Sequence, residues 1–370
     1  MRKRILAYIS LLIIFLLLIF GQSVNVQVAT EITPEQFSRM CTDMSEYGGR
    51  FSSENWVSNE ISYLQVLEPL EELSIKGGVY IGVASNQNFT YISAIKPELA
   101  FIVDIRHQNR MQHLVYKIIF ELAETPAEFI SLLLSRQLDP ETGPKAGASI
   151  NDITNYFYKT SQDQEMAMDT EKKIVDILTN KYKFDLADRD LYAINRVLYY
   201  FRIYGLNITY TGQRRSWYPT YGELLTLQEN GKQLNAFNSM EDYSYLRKMH
   251  LENKIIPVTG DFGGVKALLE ISKYLKACNL TVSAFYLSNV EQYLFRQRNT
   301  WTGWVSNVKN LPITDTSVFI RWIYERGWGY SRNYNNYSQT RLQWIKTFIK
   351  NYDEGRYYSY NDVKYLDYIK

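Results

Sequence analysis

Gly77-Gly78-Val79-Tyr80-Ile81-Gly82-Val83-Ala84 is a short apolar run opened by a glycine pair, and Ser85-Asn86-Gln87-Asn88 follows it as a polar loop. A run of this length, bounded by turn residues, predicts a buried strand. A helix-like stretch then stops before Pro97, and Leu99-Ala100-Phe101-Ile102-Val103-Asp104 reads as a second buried strand ending on an acid. Strand, glycine turn, helix, strand and acid form the βαβ pattern of nucleotide-binding sheets. Gly82 and Asp104 lie 22 residues apart, close to the ~20 expected between such a turn and its acid.

Further strands are predicted downstream. Ile255-Ile256-Pro257-Val258-Thr259-Gly260-Asp261 returns to strand character, and Phe262-Gly263-Gly264 turns into a helix over 265–277. Thr281–Leu287 is another buried strand, running into Ser288-Asn289-Val290-Glu291-Gln292-Tyr293, and Ser317–Trp322 is a fifth. Thr33-Pro34-Glu35 starts a short helix, and Ser58-Asn59-Glu60 leads into an apolar-periodic helix (Ile61, Leu64, Leu67). Helices are expected after Asp104 to Leu122, from Pro126 to Arg136, and through most of 151–250. The C-terminal part is Tyr/Asn-rich, with a helix over Thr340–Tyr352.

The fold class is therefore α/β, with a mostly parallel sheet and a large helical insertion. The expected organisation is a signal peptide or membrane anchor over 1–29 and a helical lead-in over 30–76. The α/β domain spans 77–330 with its insertion at about 125–253, and a helical C-terminal segment covers 331–370.

The N-terminus is read as an address. Arg2, Lys3 and Arg4 precede an almost unbroken apolar run over Ile5–Phe20, as the basic and apolar regions of an export signal do. Positive charge tends to stay cytoplasmic, so the remainder is expected to be exported, periplasmic or extracellular, or anchored to the membrane.

Composition narrows the function classes. With 41 basic and 39 acidic residues the formal charge is +2, and no long run of one sign marks a nucleic-acid footprint. The expected partners are a small-molecule ligand and a membrane, with no nucleic acid. Cys41 and Cys278 are too few for a disulfide framework or a zinc cluster. Three histidines, His107, His113 and His250, argue against a His-rich metal site. Tyrosine is abundant, at 31 residues; its ring and polar tip suit half-buried surfaces and ligand clefts alike.

In this order the strands resemble the blocks of class I S-adenosylmethionine-dependent methyltransferases, a Rossmann-like fold. Gly82 with its loop is similar to the family's glycine motif, and Asp104 to the acid that binds the ribose hydroxyls. Gly260-Asp261-Phe262 resembles the third-strand acid near the adenine, and Ser288–Glu291 the polar block facing the substrate. The resemblance covers 77–125 and 254–325. It implies that Gly82, Asn86, Asp104 and Asp261 hold S-adenosylmethionine, while Asn289, Glu291 and Tyr293 orient the substrate as catalytic residues. No metal is implied. This sequence departs from the family pattern at Ala84 or Ser85, where a second glycine is usual, and at Tyr80, where an acid is usual. The whole sequence also resembles an uncharacterised group of bacterial proteins with this fold.

Other roles for the same residues stay open. Asp104 is also placed to pair with Arg106, Asp261 to cap the next helix, and Asn289 to serve turn chemistry. The expected function is a methyltransferase-like transferase. The alternative is a non-catalytic, exported or membrane-tethered binding protein built on the same scaffold. A hydrolase using Glu291 with a second carboxylate is a third reading.

Overall fold

A computed structural model describes residues 32–49, 51–212, 218–324 and 338–369. The hydrophobic segment expected over 1–29 lies outside the described residues. Among those residues no helix is long and apolar enough to cross a membrane.

Six strands form one sheet: β1 (Val79–Gly82), β2 (Leu99–Asp104), β3 (Ile255–Thr259), β4 (Val282–Ser288), β5 (Ile313–Tyr324) and β6 (Ser338–Trp344). Their order is β3-β2-β1-β4-β5-β6. β1 pairs in parallel with both β2 and β4, β2 pairs in parallel with β3, and β4 with β5. β6 alone runs antiparallel, against β5. β1, β2 and β3 are buried along their whole length. A parallel sheet covered on both faces requires this, and it is why these strands read as continuous apolar runs instead of alternating ones. Register sets Gly82 beside Ile102 and Asp104 beside Thr259, so the strands end along one edge.

The helices are α1 (Pro34–Asp43), α2 (Leu67–Glu72), α3 (Asn88–Ile95), α4 (His107–Leu122), α5 (Pro126–Leu134), α6 (Ile150–Lys159), α7 (Gln164–Asp176) and α8 (Asp188–Tyr204). They continue as α9 (Tyr221–Leu225), α10 (Met240–Leu251), α11 (Ala267–Ala277), α12 (Val290–Leu294), α13 (Arg298–Asn310), α14 (Ile345–Asp353) and α15 (Tyr360–Tyr365). Local chemistry sets several starts. Thr33 and Thr125 close capping boxes with Gln36 and Glu128, each with proline in the first turn. Between β2 and β3 the chain is helical, α4 lying on β2 and β3 and carrying α8 and α10 on its outer side.

Two expectations are corrected. The helix expected to begin near Ser58 does not form: 51–60 is irregular, a short 3-10 turn covers Tyr63–Val66, and the α-helix begins at Leu67. The C-terminal segment is not helical from Thr340; residues 338–344 form β6 and the helix starts at Ile345. The reason lies in what β6 buries. Thr340 and Gln343 point inward, to Ser62 and Arg321, so the strand shows no apolar alternation in the sequence.

Tyrosine enrichment has a structural account in part. Tyr63, Tyr80 and Tyr91 are fully buried, with hydroxyls donating to Leu224 O, Asn88 Oδ1 and Tyr63 O. A ring fills the core while its polar tip is satisfied. Cys41 and Cys278 are separate buried thiols.

Candidate functional site

A cleft of about 610 Å³ opens at the carboxyl ends of β1 to β4. Its floor is Val83, Ala84, Asp104, Gly260 and Ser288, and its walls come from 51–60 and from α12. The strand order reverses between β1 and β4, where connections leaving adjacent strands diverge in sheets of this kind. In an open α/β sheet that divergence makes the ligand crevice.

The turn after β1 is pinned from within the protein. A Cβ on Gly82 would sit 2.0 Å from Asn88 Oδ1 and 2.7 Å from the Tyr80 ring. Glycine is therefore required here by inward packing, and Gly82 lies outside the cleft lining; its expected role as a close approach for a ligand is corrected. Asn88 Nδ2 donates to Val83 O and Ser85 O. Ala84 adopts φ +66°, a left-handed conformation costly to a side chain, at a position where the resemblance leads one to expect a glycine. Its carbonyl accepts from Asn109 Nδ2 at 3.0 Å and His113 Nε2 at 2.8 Å. Burial holds the His113 imidazole neutral, its pKa lowered to about 4. Asn86, expected to bind the cofactor, is buried between the cleft-lining Ser85 and Gln87 and is not itself among the lining residues. Ser85 does line it, fully buried, with an Oγ that finds no hydrogen-bond partner.

Asp104 is already satisfied. Oδ1 accepts from the Arg106 amide at 2.8 Å and from Arg106 Nε at 2.9 Å; Oδ2 accepts from Arg106 Nη2 at 2.6 Å and Ala84 N at 3.2 Å. Both side chains are buried. Arg106 Nη1 donates onward to Glu54 O. The pair expected as one alternative is thus a buried, bidentate one, which fixes the β1 turn and the cleft floor. With this set of donors the carboxylate has little left to offer a diol.

The segment after β4 divides. Ser288 turns the chain at φ +50°. Asn289 and Tyr293 line the cleft, Tyr293 edge-on to Phe51 with ring centroids 5.3 Å apart. Glu291 faces the other way, into the core, where it accepts from Arg321 Nε and Nη2 and from Trp304 Nε1. Its expected catalytic role is corrected: on a helical turn, residue 291 points away from the side that carries 289 and 293. Asp261 lines the cleft with one oxygen accepting from the Gly263 amide at 2.8 Å. The structure therefore brings Asp104, Asp261, Asn289 and Tyr293 to one cleft, and leaves Gly82, Asn86 and Glu291 out of it.

Sequence reasoning missed Glu60. Glu60 lines the cleft together with Gln87, Tyr286 and Ser288, although it is only 1% exposed. Oε1 accepts from Ser288 Oγ, and Oε2 from Gln87 Nε2 at 2.8 Å; the same Gln87 nitrogen reaches the Tyr286 hydroxyl. No ion pair reaches it among the described residues. Burial pushes its pKa up to about 7, opposed by hydrogen bonds from Ser288, Gln87 and Tyr286. The helical reading of 58–67 hid it, because a helix starting there puts Glu60 in a solvated first turn. Tyr210 and Tyr218 also line the cleft, their ring centroids 5.3 Å apart and the rings tilted 40° to each other. Nothing in the local sequence marks them, since they come from the far end of the insertion.

The profile of a family described as Domain of unknown function (DUF7790) matches residues 55–364. Among curated proteins none matches the chain.

Proposed function

As a member of that family, whose description assigns no activity, the chain is one that we propose to be a Rossmann-like, S-adenosylmethionine-dependent transferase of the methyltransferase kind, acting on a small molecule in the cleft. The observation that carries this reading is the cleft's position. It lies at the carboxyl ends of parallel strands ordered 3-2-1-4-5, where that order reverses, as nucleotide sites of doubly wound sheets do.

The residues fit such a ligand in most respects. The volume falls within the range of small-molecule sites, roughly 300–1,000 Å³. Phe51, Tyr210, Tyr218 and Tyr293 line the cleft, and aromatic rings suit a flat base. Ser85 Oγ is a buried polar atom still in need of a partner. One respect differs from the family pattern. Because Asp104 is held by Arg106, hydroxyl groups of the ligand fall to Asp261 and Asn289. When bound, S-adenosylmethionine would supply an electrophilic methyl group; the chain's own part would be to bind, align the acceptor and exclude water.

Isothermal titration of the full chain with S-adenosylmethionine and S-adenosylhomocysteine tests this. Saturable binding in the micromolar range is expected. No heat, from protein shown to be folded, would remove the transferase reading. The engaged Asp104 would then favour the second one, a non-catalytic binding protein using the same sheet. Targeting to a membrane or for export rests in either case on the sequence of 1–29, and anchoring or export is checked by fractionating cells that express the full chain.

A further inference from the structure

We infer that Glu60 is the cleft's receptor for a cationic group of the ligand, a primary ammonium. The inference rests on the reading of the cleft as a small-molecule site and names the chemistry of one end of its ligand. A carboxylate withdrawn from water is expensive unless a cation answers it. The other two buried carboxylates of this region follow that rule within the protein, Asp104 with Arg106 and Glu291 with Arg321. Glu60 is as buried as either, and its donors are Ser288, Gln87 and Tyr286, all neutral.

Geometry leaves room for the missing charge. A carboxylate offers about four lone-pair sites, and the hydrogen bonds from Ser288, Gln87 and Tyr286 leave one for a ligand. Glu60 and the Ser288 and Gln87 side chains that bond its carboxylate all line the cleft, which places the carboxylate beside the ligand space. The titratable groups around it are Tyr80, Tyr91 and Tyr286. All three phenols are buried with pKa values raised, burial being the main cause, and stay neutral over the working range. None supplies positive charge.

The ammonium would bind the ionised carboxylate, so binding releases a proton whenever Glu60 begins protonated. With the free group near pH 7, affinity should rise about tenfold per pH unit below 7 and level off above it.

The test compares S-adenosylhomocysteine, which carries an α-ammonium, with 5′-methylthioadenosine, which lacks it, on the full chain at pH 6 and pH 8. At pH 8 the ammonium-bearing ligand should bind at least tenfold more tightly, and Glu60→Gln should erase that preference while sparing methylthioadenosine. Equal affinities, or a preference unmoved by Glu60→Gln, would overturn the inference while leaving the nucleoside reading intact. Thermal unfolding with methylammonium chloride against equimolar potassium chloride provides a readout independent of nucleosides. If neither nucleoside binds, stabilisation of the wild type and not of Glu60→Gln at pH 8 supports the ammonium site and removes the nucleoside. Identical shifts in the two proteins in that case overturn the inference.

Discussion

Glu291 and Glu60 are both 1% exposed and both lie at the junction of β4 and α12, one in the first turn of α12 and one bonded to Ser288. Glu291 meets a guanidinium and the Trp304 indole N–H, and the arginine in turn lies over the Phe319 and Phe348 rings. Glu60 meets only neutral donors and borders a cavity. Burial is thus the same in the two cases and says little about function. What separates them is whether the counter-charge is built into the protein. A carboxylate with its own arginine is finished structurally; one without it is poised for a proton or a ligand.

The contrast can be broken most forcefully at the finished pair. Arg321→Met leaves Glu291 buried without its cation, and a loss of roughly 3–5 kcal/mol is expected. The double change Arg321→Met with Glu291→Leu should recover most of it. Urea denaturation measures both, and a single variant within ~1 kcal/mol of wild type would mean that the pair is more solvated than described.

At the unfinished site the same kind of change acts in the opposite direction and depends on pH. The native Glu60 holds its proton to about pH 7, against an ordinary 4.5. Between those values the unfolded chain has already released the proton, so native stability falls as pH rises and stays lower above 7. Relative to Glu60→Gln, the wild type should lose on the order of 3 kcal/mol across that window. His113 works against this trend: its lowered pKa makes stability rise between pH 4 and 6.5. Because both proteins contain His113, it cancels in the difference. Parallel stability–pH curves would show that Glu60 is not desolvated.

The smallest expected effect is at the cleft floor. Ala84→Gly relieves about 1–2 kcal/mol of left-handed strain and costs about 0.4–1 kcal/mol in the unfolded chain. A net gain near 0.5 kcal/mol should appear as a higher urea midpoint. A loss would mean that the Ala84 methyl makes contacts worth more than the strain.

Much of the sheet was legible because parallel strands buried on both faces must be apolar throughout. Val79–Gly82, Leu99–Asp104, Ile255–Thr259 and Val282–Ser288 announce themselves in this way. β6 did not, since its inward residues Thr340 and Gln343 are polar and gain their burial from partners distant in sequence. The candidate site was legible only by half. Asp104, Asp261, Asn289 and Tyr293 follow strand ends, and strand ends can be read. Glu60 stands before an apolar-periodic stretch that reads as a helix, and Tyr210 comes from the insertion, so no strand end marks either.

The sequence by itself determined the βαβ order, the strand ends and the residues that stand at them. It does so because backbone hydrogen bonding and two-sided burial impose a local pattern on every strand. Only the tertiary structure decided which acids are spent and which are free. That choice depends on where Arg106, Arg321 and Gln87 come to rest, and electrostatic pairing acts through space across separations the chain order does not record: 30 residues between Arg321 and Glu291, 27 between Gln87 and Glu60.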